Sequence, residues 1–288
     1  MTGKHLYILL AACLWGSIGV WVRLMTGSGL TAEDVVTCRA LGAGLVFTVA
    51  ILLADKKYLK VKLEHLWIFF AAGFICFPGF SGCNFICIGL SSLGVASLLE
   101  YTAPIFILLL SICFLHEKLT KYKLLALVAS FVGCVFITGA LEENTPLNLP
   151  VIGFGLASGI GYALYCFLNK LALNRGYHPL TVTAYNFYFC AIAALLYTGR
   201  VPVTQLNWQG WFGFAGLVIF CSFMANLFYN KGLSSIDAGQ AGIIATLEPF
   251  AATIIGLVLY NETISPSKML GMGLILGSII LLNLKGEK

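Results

Sequence analysis

The sequence predicts an all-α integral membrane protein whose ten spanning helices form two inverted five-helix repeats. Apolar residues make up 59% of its 288 residues and charged residues only 10%, and the mean hydropathy is +0.93. A soluble domain of this length would need far more charge on its surface. Composition therefore predicts a protein buried in a lipid bilayer, and the order of its apolar stretches predicts the architecture.

Ten apolar stretches follow one another along the chain. Each has about 20 residues, the length of helix that crosses a bilayer core of about 30 Å. Short loops join them. The predicted spans are 5–24, 35–54, 66–88, 95–115, 122–140, 151–171, 180–199, 208–230, 238–260 and 266–284.

The second five spans repeat the first five. Residues 89–139 recur in outline as residues 232–283, and both segments begin with Gly-Leu-Ser-Ser. In each segment a proline precedes a glutamate by thirteen positions. These residues are Pro104 and Glu117 in the first segment and Pro249 and Glu262 in the second.

The predicted halves are residues 1–145 and 146–288, and they meet in a loop that contains Pro146 and Pro150. Five spans is an odd number, so the second half must cross the membrane in the opposite direction to the first. Inverted repeats are typical of secondary transporters, in which a central site opens to one side and then to the other.

Lysine and arginine predict the orientation, because cytoplasmic loops carry an excess of them. With the N-terminus inside, thirteen of the seventeen basic residues fall on the cytoplasmic face. Both termini are therefore expected in the cytoplasm, and the protein in the cytoplasmic (inner or plasma) membrane as a multi-pass protein. The net charge of +5 needs no nucleic-acid partner to explain it.

A family resemblance rests on motifs in both halves. Trp15-Gly16-Ser17, Arg39, the segment from Pro104 to His116-Glu117 and the segment from Glu248-Pro249 to Asn261-Glu262 together resemble the drug/metabolite transporter superfamily, in its ten-span EamA type. The resemblance covers about residues 5–284. It implies ten helices around a central cavity, no ATPase domain, and movement of small metabolites such as amino acids, amines or drugs, often outward.

Ionisable groups inside a bilayer are costly, so each is a functional candidate. Arg39 and Glu100 lie in the second and fourth spans. One interpretation is a structural ion pair between them; the other is that Arg39 presents a bidentate guanidinium to a substrate carboxylate. The two halves differ chemically here, because Ala245 aligns with Glu100 and Ala103 with Glu248.

Glu248 lies about ten residues into its span, near the membrane midplane, if the helix rises 1.5 Å per residue. No basic partner is evident at that depth in the sequence, and a low dielectric favours the neutral form of a carboxyl. Such a group suits a proton carrier or a receptor for a substrate ammonium. The alternative is a neutral acid that is hydrogen-bonded within the helix bundle.

Aromatic and amide side chains complete the predicted site. Trp15 and Tyr162 lie mid-span at matching repeat positions, where stacking or cation-π contact with a substrate competes with simple packing. Tyr101, Tyr229 and Asn226 are further candidates on other spans.

We expect a transporter of a small amine-bearing metabolite, in particular an amino acid, moved outward by alternating access. Arg39 would take the carboxylate, Glu248 the ammonium or a coupling proton, and Trp15 and Tyr162 would shape the cavity. The closest rival is a proton-coupled exporter of cationic drugs or amines. A membrane enzyme is disfavoured because polar catalytic clusters are lacking, and a channel because the repeat is inverted.

No nucleotide loop, metal motif or nucleic-acid module is evident, so no cofactor is expected. The expected partners are the lipid bilayer and the substrate, and the sequence leaves proton coupling open. Gly273 and Gly277 fit either close packing within the bundle or a homodimer interface.

Overall fold

The computed structural model describes residues 3–140 and 147–285. Within them, ten helices are long and apolar enough to cross a membrane, which confirms the ten predicted spans. The predicted boundary between the halves, at residues 145 and 146, lies outside the described residues. The helices are α1 (Lys4–Thr26), α2 (Ala32–Ala54), α3 (Leu63–Leu90), α4 (Leu93–Leu115), α5 (Lys121–Thr138), α6 (Leu149–Asn174), α7 (Pro179–Thr198), α8 (Trp208–Leu233), α9 (Ala238–Tyr260) and α10 (Pro266–Leu284).

The outer surface of the bundle is apolar. Leu53, Phe114, Leu196 and Val258 are all exposed. In water such a surface would be unstable, whereas lipid tails cover it without cost. The exterior therefore fits a protein that spans a bilayer many times.

Proline interrupts two helices near their middle. It has no backbone N–H and clashes with the carbonyl four residues earlier. The fourth helix accordingly divides before Pro104 into α4a (Leu93–Glu100) and α4b (Ala103–Leu115). The ninth divides before Pro249 into α9a (Ala238–Ala245) and α9b (Leu247–Tyr260).

The turns that follow these two helices are built alike. His116 and Asn261 end the helices in the left-handed region, with φ of 55° and 52°. The next residue, Glu117 or Glu262, donates its N–H to the carbonyl of Ser111 at 3.1 Å or of Gly256 at 3.2 Å. The repeated sequence thus forms the same backbone turn twice.

Two other helices each contain a π-helical segment. These are Ala71–Cys76 in α3 and Leu217–Met224 in α8, the third helix of each half. A π-helical turn inserts one extra residue and leaves carbonyls without their usual partner, and such turns are frequent at functional sites. The segment in α8 contributes directly to the cavity described below.

Each end of the bundle has its own polar contact between helices or loops. At the end where α1 begins and α10 ends, here the terminal end, His5 Nδ1 lies 2.6 Å from Asn283 Oδ1. At the opposite end, the distal end, Arg200 Nη2 donates to Asp34 Oδ2 at 2.7 Å. Glu117 lies at the terminal end and Glu262 at the distal end, so the two equivalent turns face opposite sides.

Candidate functional site

A cavity of about 220 Å³ lies in the middle of the bundle. It is enclosed mainly by α1, α3, α4, α6, α8 and α9, together with Arg39 of α2. The interruptions in α4 and α9 both border it. Seven of the eight predicted site residues line it: Trp15, Arg39, Glu100, Tyr101, Tyr162, Asn226 and Glu248.

The two acids lie beside the proline interruptions. Glu100 is the last residue of α4a, and Glu248 is in the first turn of α9b. An acidic group is favoured at a helix N-terminus by the helix dipole, as for Glu248. The prolines, which the sequence repeats, thereby bring two carboxyls from different halves to one cavity.

Arg39 and Glu100 do not form the predicted ion pair. The Nε of Arg39 donates to the Oγ of Ser222 at 2.9 Å, and Glu100 instead accepts a hydrogen bond from the Nδ2 of Asn84. The guanidinium carbon of Arg39 lies 5.6 Å from the centroid of the Phe77 ring. Among the described residues, its two terminal amino groups have no hydrogen-bond partner, so they remain available to a ligand.

Glu248 has no hydrogen bond and no ion pair among the described residues, so the alternative of an acid hydrogen-bonded in the bundle is not realised here. The expectation of no basic neighbour is corrected in part, because Arg39 lines the same cavity as this carboxyl. Glu100 lines it as well. Two carboxylates against one guanidinium leave one negative charge, which a proton or a cationic group must neutralise.

The aromatic wall is fixed by contacts between helices. The Nε1 of Trp15 donates to the carbonyl of Cys221 at 3.1 Å, a carbonyl within the π-helical segment of α8. The ring centroids of Tyr162 and Phe80 lie 5.4 Å apart. These rings are held in place before any ligand arrives, which lowers the entropic cost of binding.

Tyr229 is the one predicted residue that does not line the cavity. Its ring packs against Trp15 with centroids 5.2 Å apart, and its hydroxyl donates to the Sγ of Cys166 at 3.3 Å. It therefore stands behind Trp15. Sequence alone cannot separate a wall residue from its support, since both are aromatic and mid-span.

Asn226 lines the cavity, but its amide is already engaged. The Nδ2 donates to the carbonyls of Cys221 at 3.2 Å and Ser222 at 2.9 Å. The Oδ1 accepts from the hydroxyl of Tyr165 at 3.5 Å. Its main role here is to satisfy the carbonyls of the π-helical segment.

Two residues outside the predicted site set hold its charged groups without lining the central cavity. Ser222 holds Arg39, and Asn84 holds Glu100. A hydroxyl or amide in an apolar span is the only signal that the sequence offers for them. Further lining residues are Phe77, Phe80, Ser81, Ser97 and Thr246.

The cavity continues toward the distal end. A second cavity of about 250 Å³ shares Arg39 and Glu100 with the first and reaches Val22, Ala32 and Val35 near that end. The central site is thus approached from the side of the bundle opposite the chain termini.

At the terminal end the helices are tied together. Lys170, near the end of α6, is buried and donates to the carbonyls of Leu233 at 2.8 Å and Ile236 at 2.7 Å. The Nζ of Lys123 lies 2.5 Å from Asp237 Oδ2. Both contacts hold the segment that leads into α9a.

Comparison with known proteins agrees with this architecture. An uncharacterized transporter of Archaeoglobus fulgidus is 26% identical over 277 residues, covering 95% of this chain and 94% of that protein. The uncharacterized transporter YwfM of Bacillus subtilis is 23% identical over 290 residues, covering 98% and 94% of the two chains. A solved crystal structure has the same fold, with a TM-score of 0.84, 18% identity, and 99% and 97% of the two chains covered.

The family match extends over nearly the whole chain and has two parts, residues 3–139 and residues 149–284. Each part contains five of the ten helices. The resemblance read from the sequence motifs is confirmed: the chain belongs to the EamA-like transporter family.

Proposed function

We propose that this protein is a secondary active transporter that exports a small zwitterionic metabolite of the amino-acid class. It would move this substrate across the cytoplasmic membrane by alternating access. The observation that carries the proposal is the arrangement of Arg39, Glu100 and Glu248 around one cavity. A guanidinium with free terminal amino groups suits a carboxylate. A carboxyl without a protein partner suits an ammonium.

The size of the cavity supports a small substrate. At about 220 Å³ it falls below the volumes of about 300–1,000 Å³ that are typical of sites for drug-sized ligands. The rings of Trp15 and Tyr162 offer an apolar surface for the rest of the molecule.

A second candidate is a proton-coupled exporter of cationic amines. The excess of one carboxyl over the single guanidinium favours it, because a monovalent cation could replace the neutralising proton one for one. The free amino groups of Arg39 count against it, since they would repel a cation that has no carboxylate.

Three matched ligands distinguish these functions: leucine, its uncharged-carboxyl analogue leucinamide, and 4-methylpentanoate, which lacks the amino group. Binding to the purified protein in detergent can be followed by the fluorescence of its tryptophans. We expect leucine to bind at least tenfold more tightly than either analogue, since each analogue leaves one charged group of the site unpaired. Tighter binding of leucinamide would contradict the proposal and support the amine exporter.

The matched variants are Arg39→Met and Arg175→Met. Arg175 directly follows α6, is exposed and does not line the cavity, so its loss should not affect binding. Arg39→Met should weaken leucine binding by about tenfold to a hundredfold, as expected for lost hydrogen bonds to a charged group. The affinity for leucinamide should not fall.

A further inference from the structure

The turn after α4 binds the beginning of α9. Glu117 Oε1 accepts the N–H of Ala238 at 2.7 Å, and Oε2 accepts the N–H of Gly239 at 3.2 Å. These are the first two amides of α9a, which have no partner within their own helix. A carboxylate is favoured at this position by both the hydrogen bonds and the helix dipole. Glu117 therefore acts as a clamp on α9a.

An ion pair and close packing reinforce this clamp. Lys123, whose side chain is only 2% exposed, pairs with Asp237 and also donates to the carbonyl of Lys118 at 2.9 Å. The helix α9a packs against α4b, and a Cβ added to Gly239 would lie 2.7 Å from Leu108 Cδ1. No side chain larger than that of glycine fits this approach without movement.

The equivalent turn after α9 has the same backbone but holds no helix. Every residue of the first clamp has a counterpart 145 positions away: Glu262 corresponds to Glu117, and Lys268 to Lys123. Glu262 lies 3.8 Å from Arg23 with both side chains about half exposed, and Lys268 has no ion pair among the described residues. The helix α4a packs against α3 and α6 rather than along α9b.

We propose that Glu117 and Glu262 are alternate clamps that hold the two ends of the bundle closed in turn. When the terminal end opens, Glu117 releases Ala238 and Gly239. Glu262 then binds the N–H groups of Leu93 and Gly94, the equivalent first residues of α4a. The inference rests on the alternating access of the proposed function, and both glutamates are positioning residues that do not touch the substrate.

The two clamps are unequal in charge. Asp237, which pairs with Lys123 at the terminal end, corresponds to Ser92 at the distal end, where Lys268 has no acid to meet. The terminal clamp therefore holds one more ion pair than the distal one. In the absence of ligand the distal-open form is favoured, the form that this structure displays.

Distances between spin labels test the clamps. Labels at Lys118 and Ser235 measure the terminal gap, and labels at the equivalent Thr263 and Leu90 measure the distal gap; all four positions are exposed. The background lacks the three cysteines that are not buried, namely Cys13, Cys83 and Cys113. Measurements by double electron–electron resonance use protein in lipid nanodiscs without ligand.

Glu117→Gln removes the charge and one acceptor oxygen while it preserves length. We expect it to shift the ratio of terminal-open to distal-open protein by about tenfold or more. Glu262→Gln should shift the ratio the opposite way. Glu64→Gln, which changes an exposed acid in the first turn of α3, is the matched control and should leave both distances unchanged.

Ser92→Asp tests the same proposal by adding an ion pair instead of removing a contact. Aspartate starts a helix as well as serine does, so α4a should form normally. The added carboxylate should pair with Lys268 and increase the terminal-open population by about tenfold, an effect that misfolding cannot imitate. Unchanged distances in both Glu117→Gln and Ser92→Asp would overturn the proposal.

The spin-label distances test the clamps without depending on which substrate the protein binds. If the distances shift as expected while leucine fails to bind, the clamps stand and the proposed substrate is wrong. If leucine binds as expected while the variants leave the distances unchanged, the clamps are wrong and the proposed substrate stands.

Discussion

Glu248 is the side chain on which the proposed chemistry depends most. It has no hydrogen-bond partner among the described residues and borders the same cavity as Arg39. An acid in this position can bind a substrate ammonium only in its ionised form. Substrate and proton therefore compete for it.

Replacement of Glu248 by Gln fixes this position in a neutral state. We expect leucine binding to weaken by about tenfold or more, through the loss of one charge-assisted contact. In the wild-type protein the affinity should rise with pH as the carboxyl ionises, and the variant should lose that dependence. Titrations of tryptophan fluorescence with leucine at several pH values measure both effects. An unchanged pH profile in Glu248→Gln would mean that this carboxyl does not titrate during binding.

Arg39 and Glu100 provide a second test at this scale. Each has its own partner, Ser222 or Asn84, so the loss of one should not destabilise the other. In a double-mutant cycle of Arg39→Met and Glu100→Gln, the interaction energy from thermal unfolding without ligand should stay below about 0.5 kcal/mol. A favourable coupling of more than about 1 kcal/mol would reinstate the structural ion pair.

The charged residues of the site were predictable because each is an exception in an apolar span. Seven of the eight predicted residues do border one cavity. Ser222 and the carbonyl of Cys221 were not predictable, since they are placed by a π-helical turn that leaves no periodic signal in the sequence. Whether the lining residues bind substrate remains a prediction.

Helix interruptions and close helix contacts shape the bundle at the scale of elements. Prolines place the two interruptions, and glycines allow close contact between α5 and α10. A Cβ added to Gly133 would lie 2.8 Å from Ile275 Cγ1 and 2.9 Å from the carbonyl of Gly271. By contrast, Gly273 and Gly277 face open space, where a homodimer contact stays a prediction.

Gly133→Ala should therefore destabilise the protein by about 1–3 kcal/mol, because α5 and α10 must move apart. The matched control is Gly273→Ala on α10, where nothing lies within 4 Å of the added carbon. That change should be neutral or stabilising, since alanine favours a helix by about 1 kcal/mol over glycine. Thermal unfolding in detergent gives both values. Equal melting temperatures for the two variants would show that the contact contributes little.

At the scale of the whole molecule, hydropathy predicts the number of spans and the basic residues predict their orientation in the membrane. Ten spans follow from the length of the apolar stretches, and the structure has ten such helices. Which end of the bundle the cavity extends toward could not be predicted, because the repeated sequence forms the same backbone turn at both ends. At the terminal end Glu117 accepts the N–H of Ala238 at 2.7 Å, and within residues 3–140 and 147–285 Glu262 makes no equivalent contact at the other end.

Orientation can be tested by single cysteines on the background that lacks Cys13, Cys83 and Cys113. Cysteines at Lys60 and Leu119, at the terminal end, should resist an impermeant thiol reagent in intact cells. Cysteines at Leu147 and Val201, at the distal end, should react, since all four positions are exposed. Reaction at Lys60 without lysis would reverse the orientation drawn from the basic residues.

Transport in proteoliposomes tests the central claim most directly. The purified protein is reconstituted and offered a panel of labelled amino acids and amines, with and without a pH gradient. We predict saturable movement of a neutral amino acid that responds to the gradient, that is abolished in Arg39→Met, and that loses its response to the gradient in Glu248→Gln. Arg175→Met should transport like the wild type. Movement of simple amines alone, retained in Arg39→Met, would contradict the account.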